Sequence, residues 1–77
     1  MDDPADIEVD ARGHRCPTPT LRLRRALEAA SPGQRVLLLC DDPMARIDVP
    51  HFAKQTNLRL VQSYEAEGVL HFLVEKP

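Results

Sequence analysis

The sequence predicts an α+β fold, a βαβαββ two-layer sandwich in which a four-stranded mixed sheet carries two helices on one face. Three observations predict it. Apolar residues alternate at the start of the chain. Two apolar runs of strand type are each followed by a proline-marked helix start. Two late strand patterns lie close together around a single glycine. Strand–helix–strand connections favour parallel neighbours with a right-handed crossover, and closely linked strands favour an antiparallel hairpin.

Residues 1–6 read as a short flexible tail, and the single domain as 7–77. From Ile7 the chain runs Ile-Glu-Val-Asp-Ala, apolar at every second position, which is the period of a half-buried strand. Arg12-Gly13-His14-Arg15 follows as a loop whose glycine can take positive φ. Cys16-Pro17-Thr18-Pro19 then marks a helix start, where N–H groups lack partners anyway and the fixed φ of proline is already suitable. Leu23, Ala26, Leu27 and Ala30 fall on one face of that helix, and Arg24 can reach Glu28. Leu21 lies off the stripe. Ser31-Pro32-Gly33 stops the helix.

Gln34 to Cys40 is a continuous apolar run, as expected of a strand buried on both sides or central in its sheet. Asp42 is placed to cap a second helix with Pro43 at its first position. That helix should pass Met44, Ile47 and Phe52 and reach about Thr56. Pro50 predicts a kink or two short pieces, with Asp48 capping the second. Asn57 ends the helix. Leu58 to Glu65 and Val69 to Glu75 are the last two strands, joined at Glu67-Gly68.

Composition narrows the function. The chain has 77 residues, ten Lys and Arg against twelve Asp and Glu, and a formal net charge of −2. A general nucleic-acid binder normally shows a basic excess, and the aromatic residues, Phe52, Tyr64 and Phe72, offer no evident stacking platform. Direct nucleic-acid binding is not expected. No stretch approaches a membrane span, and the N-terminus is acidic where a signal peptide would be basic. A cytoplasmic location and no membrane contact are the expectation. Two cysteines are too few for the disulfide framework usual in a small secreted chain. Three scattered histidines (His14, His51 and His71) show no metal-ligand spacing with them. No metal or cofactor is expected.

Cys16 is the informative residue. It stands just before a helix, where free N–H groups and the helix dipole favour negative charge and lower a thiol pKa. Arg12 and Arg15 flank it, and His14 would act in the same direction if protonated or hydrogen-bonded. Half of the ten Lys and Arg residues (Arg12, Arg15, Arg22, Arg24 and Arg25) cluster in this region and read as a basic docking patch. Asp10 is placed to hydrogen-bond the turn that presents the thiol. The two cysteines are too far apart for a CxxC pair, and a sandwich this small has little cleft for protease-type chemistry. A thiol that receives a group from one protein and passes it to another fits best. Cys40 is a candidate second thiol, either one that attacks the Cys16 product or a buried small apolar residue.

Val9-Asp10-Ala11-Arg12-Gly13-His14-Arg15-Cys16-Pro17-Thr18-Pro19 resembles the N-terminal signature of the TusA/SirA-like sulfur carrier family. Asp41-Asp42-Pro43 with Asp48-Val49-Pro50-His51-Phe52 resembles its second block, and the resemblance runs from about Ile7 to the end. It implies the same βαβαββ sandwich and a persulfide carrier role for Cys16, with Pro17 and Pro19 shaping its helix start. It also implies a cysteine desulfurase or rhodanese-like protein as sulfur donor. The acceptor would be a second protein in tRNA thiolation, molybdenum-cofactor or dissimilatory sulfur metabolism, and the carrier would be monomeric when alone. The chain would be a sulfurtransferase component rather than a stand-alone enzyme. The competing reading is a non-catalytic interaction or regulatory module of the same fold. His14, Thr18 and Ala53 depart from residues common in the family, the first two on the surface a partner would touch.

Overall fold

Strand β1 (Ile7–Asp10) and strand β2 (Arg35–Cys40) pair in parallel, with Ile7 opposite Val36 and Asp10 opposite Leu39. Helix α1 (Thr18–Ala29) crosses between them. Helix α2 (Ala45–Gln55) leads to strand β3 (Arg59–Ala66), which forms a hairpin with strand β4 (Val69–Glu75). The sheet order is β1-β2-β4-β3, with β2 and β4 antiparallel. The expected mixed sheet is therefore present. A computed structural model describes residues 5–14 and 18–77, and only the backbone of Thr18.

The helices cover one face because the apolar side chains converge there. Val36, Leu38 and Cys40 of β2 meet Leu70, Phe72 and Val74 of β4. Leu23 and Leu27 of α1 and Ala45 and Val49 of α2 close over them. Each fully buried Leu or Val contributes about 1.5–3 kcal/mol relative to exposure. On the other face lie Leu37, Leu39, His71 and Leu73, which pair across the sheet as Leu37–Leu73 and Leu39–His71. Thus β2 is central, but it is not buried equally on its two sides. Val36, Leu38 and Cys40 are buried, whereas Arg35, Leu37 and Leu39 are half-buried. Leu73 of β4 is buried on the far face, but among the described residues no third layer covers that face.

Several boundaries differ from expectation for identifiable reasons. Asp42 does act as a cap, since its carboxylate accepts the Met44 N–H at 3.0 Å. It caps a Pro43–Met44 turn, however, and α2 proper begins at Ala45. Pro50 does not divide α2 into two pieces: one continuous helix contains it. The cost of the missing N–H is offset by Ala45, Val49 and Ala53, which bury their side chains at helical spacing on both sides of it. Asp48 consequently lies in the first turn of α2 rather than capping a second piece. Met44 and Ile47 are exposed instead of joining the apolar stripe.

The helix end and the hairpin follow the sequence closely. Asn57 has φ 59°. The Leu58 N–H bonds the Ala53 carbonyl, and the Asn57 N–H reaches that of Lys54, forming a Schellman end. Glu67 and Gly68 have φ 52° and 77°, as a two-residue hairpin with both central residues left-handed requires. No helix among the described residues is long and apolar enough to cross a membrane.

Candidate functional site

Parallel pairing brings the C-terminal ends of β1 and β2 to one edge of the molecule. The Ala11 N–H donates to the Leu39 carbonyl at 2.7 Å. Beyond that bond both chains leave the sheet and turn toward a helix. The loop after β1 is held by contacts that a sequence pattern does not display. A turn closes from Ala11 to His14, whose N–H donates to the Ala11 carbonyl at 3.2 Å. Gly13 takes φ +83°, and no atom within 4 Å would meet a Cβ there. The glycine is required for its backbone conformation rather than for space.

Asp41, the first residue after β2, fixes this turn. The Gly13 N–H donates to both oxygens of its carboxylate, at 3.0 and 3.2 Å. Asp10 holds the other side. It accepts the Arg12 backbone N–H at 3.1 Å and a paired contact from the Arg12 guanidinium, Nε at 2.9 Å and the second nitrogen at 2.8 Å. The Arg12 side chain and backbone hydrogen bonds hold the Asp10 carboxyl well below the usual carboxylate range. The same ion pair raises the Arg12 pKa. Arg12 therefore delivers much of its charge to Asp10, and less to its surroundings than its position in the sequence suggests. Asp10 does secure the turn as expected.

His14 links the loop to α1, with its Nε2 3.1 Å from a terminal nitrogen of Arg22. Guanidinium only donates, so Nε2 accepts and His14 joins the contact through a lone pair. Pro19, the second residue of α1, is fully buried. It anchors the helix start where a missing N–H costs nothing. Arg15, Cys16 and Pro17 lie outside the described residues. Cys16 precedes Thr18, the first residue of α1, by two positions and follows the anchored His14 by two. The first turn of α1 carries no acidic side chain, so its positive dipole end is not neutralised from within the helix.

Cys40 has the opposite character. Its side chain is completely buried. Burial, followed by the charges of Asp41 and Asp42, pushes the thiol up to about 11. It stands at the same sheet edge as the β1 loop but faces the core. Such a thiol is a poor nucleophile in the folded chain. His51 is exposed on α2. His71 is stacked on Tyr64, with ring centroids 4.4 Å apart, and contacts the Val69 carbonyl through Nδ1. Both behave as ordinary surface and strand histidines.

Asp41 and Arg22 are the positioning residues that sequence reasoning missed. In the sequence Asp41 stands out only as part of the Asp41-Asp42-Pro43 block. Its role follows from the parallel register, which sets the ends of β1 and β2 side by side. Arg22 and Arg25 make no carboxylate ion pair among the described residues, whereas Arg24 is near Glu28 at 3.8 Å.

Known proteins are similar to this chain. The family profile described as Sulfurtransferase TusA matches residues 7–76. The Sulfur carrier protein TusA of Allochromatium vinosum is 44% identical over 71 residues, covering 92% of this chain and 93% of its own. A protein of Archaeoglobus fulgidus named as a candidate sulfur carrier is 39% identical over 69 residues, covering 88% and 90%. The crystal structure of the SirA-like protein from Desulfitobacterium hafniense superimposes with a TM-score of 0.80 at 28% identity, over 90% of this chain and 95% of that one. Its fold agrees with the two helices and mixed sheet seen here. With the match spanning both strand-to-helix junctions, the chain belongs to the TusA sulfurtransferase family.

Proposed function

We propose that this chain is a sulfur carrier that takes up sulfane sulfur as a persulfide on Cys16 and relays it to a second protein. Relatives named as sulfur carriers, aligned over nearly the whole chain, support the carrier role. One observation points to the atom. The chain has two cysteines, and Cys40 is buried in the core with its thiol pushed up to about 11. Cys16 is the thiol left for exchange chemistry.

The proposed cycle is thiol exchange without net oxidation. The Cys16 thiolate attacks the outer sulfur of a donor persulfide. A new bond forms between the Cys16 Sγ and that sulfur, the donor S–S bond breaks, and the donor leaves as a thiolate. In the second half, an acceptor thiolate attacks the outer sulfur of the Cys16 persulfide and regenerates the Cys16 thiolate. Rates depend on thiolate fraction, on access and on the leaving thiol. The unneutralised start of α1 favours the thiolate. The Asp41, Asp10 and Arg22 contacts anchor Arg12, Gly13 and His14, upstream of Cys16. Family membership supports a cysteine desulfurase or rhodanese-like donor and a protein acceptor. The working unit is proposed to be a cytoplasmic monomer, a component of sulfur transfer rather than a stand-alone enzyme.

The test is whole-protein mass spectrometry after exposure of the reduced chain to inorganic polysulfide. The wild type and Cys40→Ala should each gain sulfur that dithiothreitol removes, and Cys16→Ser should gain none. Sulfur uptake undiminished in Cys16→Ser would overturn the assignment. An inert wild type would leave the interaction-module reading standing.

A further inference from the structure

The sheet has two edges, and they are managed differently. The β3 edge is interrupted by an irregularity between Leu60 and Gln62, and an ion pair from Arg46 of α2 to Glu65 crosses to it. Bulges and charged crossings are ordinary ways of blunting an edge. Among the described residues the β1 edge has neither. Ala11 turns its N–H toward β2, and alternation along a parallel ladder turns the N–H and C=O groups of Glu8 and Asp10 the other way. Those groups face a channel of about 580 Å³ between β1 and α1, lined by Glu8, Val9, Asp10, Leu21, Arg22, Arg25 and Ala26.

The channel has an apolar floor and a basic rim. Val9 and Ala26 are half-buried, while Leu21 is 56% exposed although it is a large apolar residue. Arg22 and Arg25 have no carboxylate partner among the described residues. Of the two acids on the β1 wall, Asp10 is already paired with Arg12. Glu8 alternates with the inward-packing Ile7 and Val9, so its side chain emerges on the far face of the sheet. The positive charge along the channel is therefore only partly countered within the chain: Arg22 shares the field of Asp10 with Arg12, and Arg25 forms no carboxylate ion pair among the described residues. Open backbone groups beside a basic wall are the elements of strand addition, in which main-chain bonds supply affinity and side-chain pairing supplies specificity.

We propose that this channel docks an acidic extended segment of a partner protein, which adds to β1 as a fifth strand and sets its carboxylates against Arg22 and Arg25. The proposal names the surface that would hold a delivering or receiving protein. It rests on the sulfur-carrier reading for the partner's task, but not for the geometry. A strand so placed runs alongside β1 toward the loop that leads to Cys16.

The test titrates the isotope-labelled full-length chain with an end-blocked octapeptide of alternating Glu and Val, followed by amide spectroscopy. A Lys-Val octapeptide is the control. The Glu-Val peptide should shift the amides of Glu8, Asp10 and residues 21–26 and slow proton exchange at Glu8 and Asp10. Arg25→Glu should weaken binding about tenfold or more. Glu8→Pro should abolish it, because the proline removes an outward N–H that the native ladder does not use. Arg25→Glu should still take up sulfur from polysulfide, and Cys16→Ser should still bind the peptide, so the two readings fail separately. Equal binding of the Lys-Val peptide, shifts confined to the far face of the sheet, or no binding would each overturn the proposal.

Discussion

The two strand-to-helix junctions of this molecule have opposite side-chain chemistry. After β1 the chain reads Arg12-Gly13-His14-Arg15-Cys16-Pro17. After β2 it reads Asp41-Asp42-Pro43. The parallel register sets them side by side. The acidic junction is tied into the fold. Asp41 binds the backbone of the neighbouring loop, Asp42 caps the turn into α2, and the nearby thiol of Cys40 is enclosed. Its helix is also balanced, with Asp48 in the first turn and Lys54 in the last. The other helix has no such compensation at either end. One junction thus serves as the mount and leaves the other electrostatically open. Cys40, at the acidic junction, is consequently an enclosed thiol held in its protonated form.

Exchanging the cysteines' roles should break this contrast most severely. Cys16→Ser should abolish sulfur uptake while leaving thermal stability near that of the wild type. Cys40→Ser should retain uptake yet lose about 1–3 kcal/mol of stability, because a hydroxyl enters an apolar core without a partner. Urea unfolding of both variants, alongside mass spectrometry of sulfur uptake, checks the pair. A Cys40→Ser chain as stable as the wild type would contradict the enclosed environment described for that thiol.

The same contrast explains what the sequence could reveal. Strand alternation in β1, the helical stripe of Leu23 and Leu27, the Asn57 helix end and the Glu67-Gly68 turn are local patterns, and each was legible. Pro50 does not split α2, although a local rule disfavours it in a helix interior, because the buried series Ala45, Val49 and Ala53 holds the helix together through tertiary contacts. The partial exposure of Leu37 and Leu39 was hidden because an apolar run looks alike whether one face of a strand is covered or two. Asp41 and Arg22 escaped for another reason: their partners, Gly13 and His14, lie 28 and 8 residues away. Neither pair lies within a single helix or strand, so no period of an element links the two residues. The loop composition around Cys16 was plain in the sequence. Its anchoring became visible only with the register of β1 on β2.

Alkaline titration sharpens the contrast next. The Cys40 thiol is raised from 9.0 to about 11. The fold therefore favours its protonated form, and this contribution is fully present below pH 9. It fades as pH rises from 9 through 11, a loss on the order of 2 kcal/mol. Unfolding curves at pH 8 and pH 11 should differ more for the wild type than for Cys40→Ala. Equal pH dependence in the two chains would remove the buried thiol as the cause.

Cutting the link between the junctions should have a smaller effect. Asp41→Ala leaves the Gly13 N–H to water, and the site is exposed, so the expected cost is about 1 kcal/mol. Amide exchange at Gly13 should quicken. Asp41→Asn keeps an oxygen acceptor and should recover most of the protection. If Asn behaves as Ala does, the contact matters through its charge rather than as a hydrogen bond.

The smallest effect belongs to the acid side of the basic junction. Asp10 is exposed, and its carboxyl is held low first by the Arg12 side-chain hydrogen bond and then by the Arg12 backbone N–H. A lowered carboxyl pKa stabilises the fold above the unfolded value of 3.8, and this contribution is lost as pH falls through the folded value. Asp10→Asn retains an acceptor for the Arg12 N–H but removes the ion pair. Its stability deficit should therefore be present at pH 7, shrink steadily below pH 3.8, and shrink also in high salt, as expected for an exposed pair. A deficit that persisted unchanged into acid would place the role of Asp10 in the neutral hydrogen bond to the turn. The charge that Arg12 spends on it at neutral pH would then count for little in the balance between the two junctions.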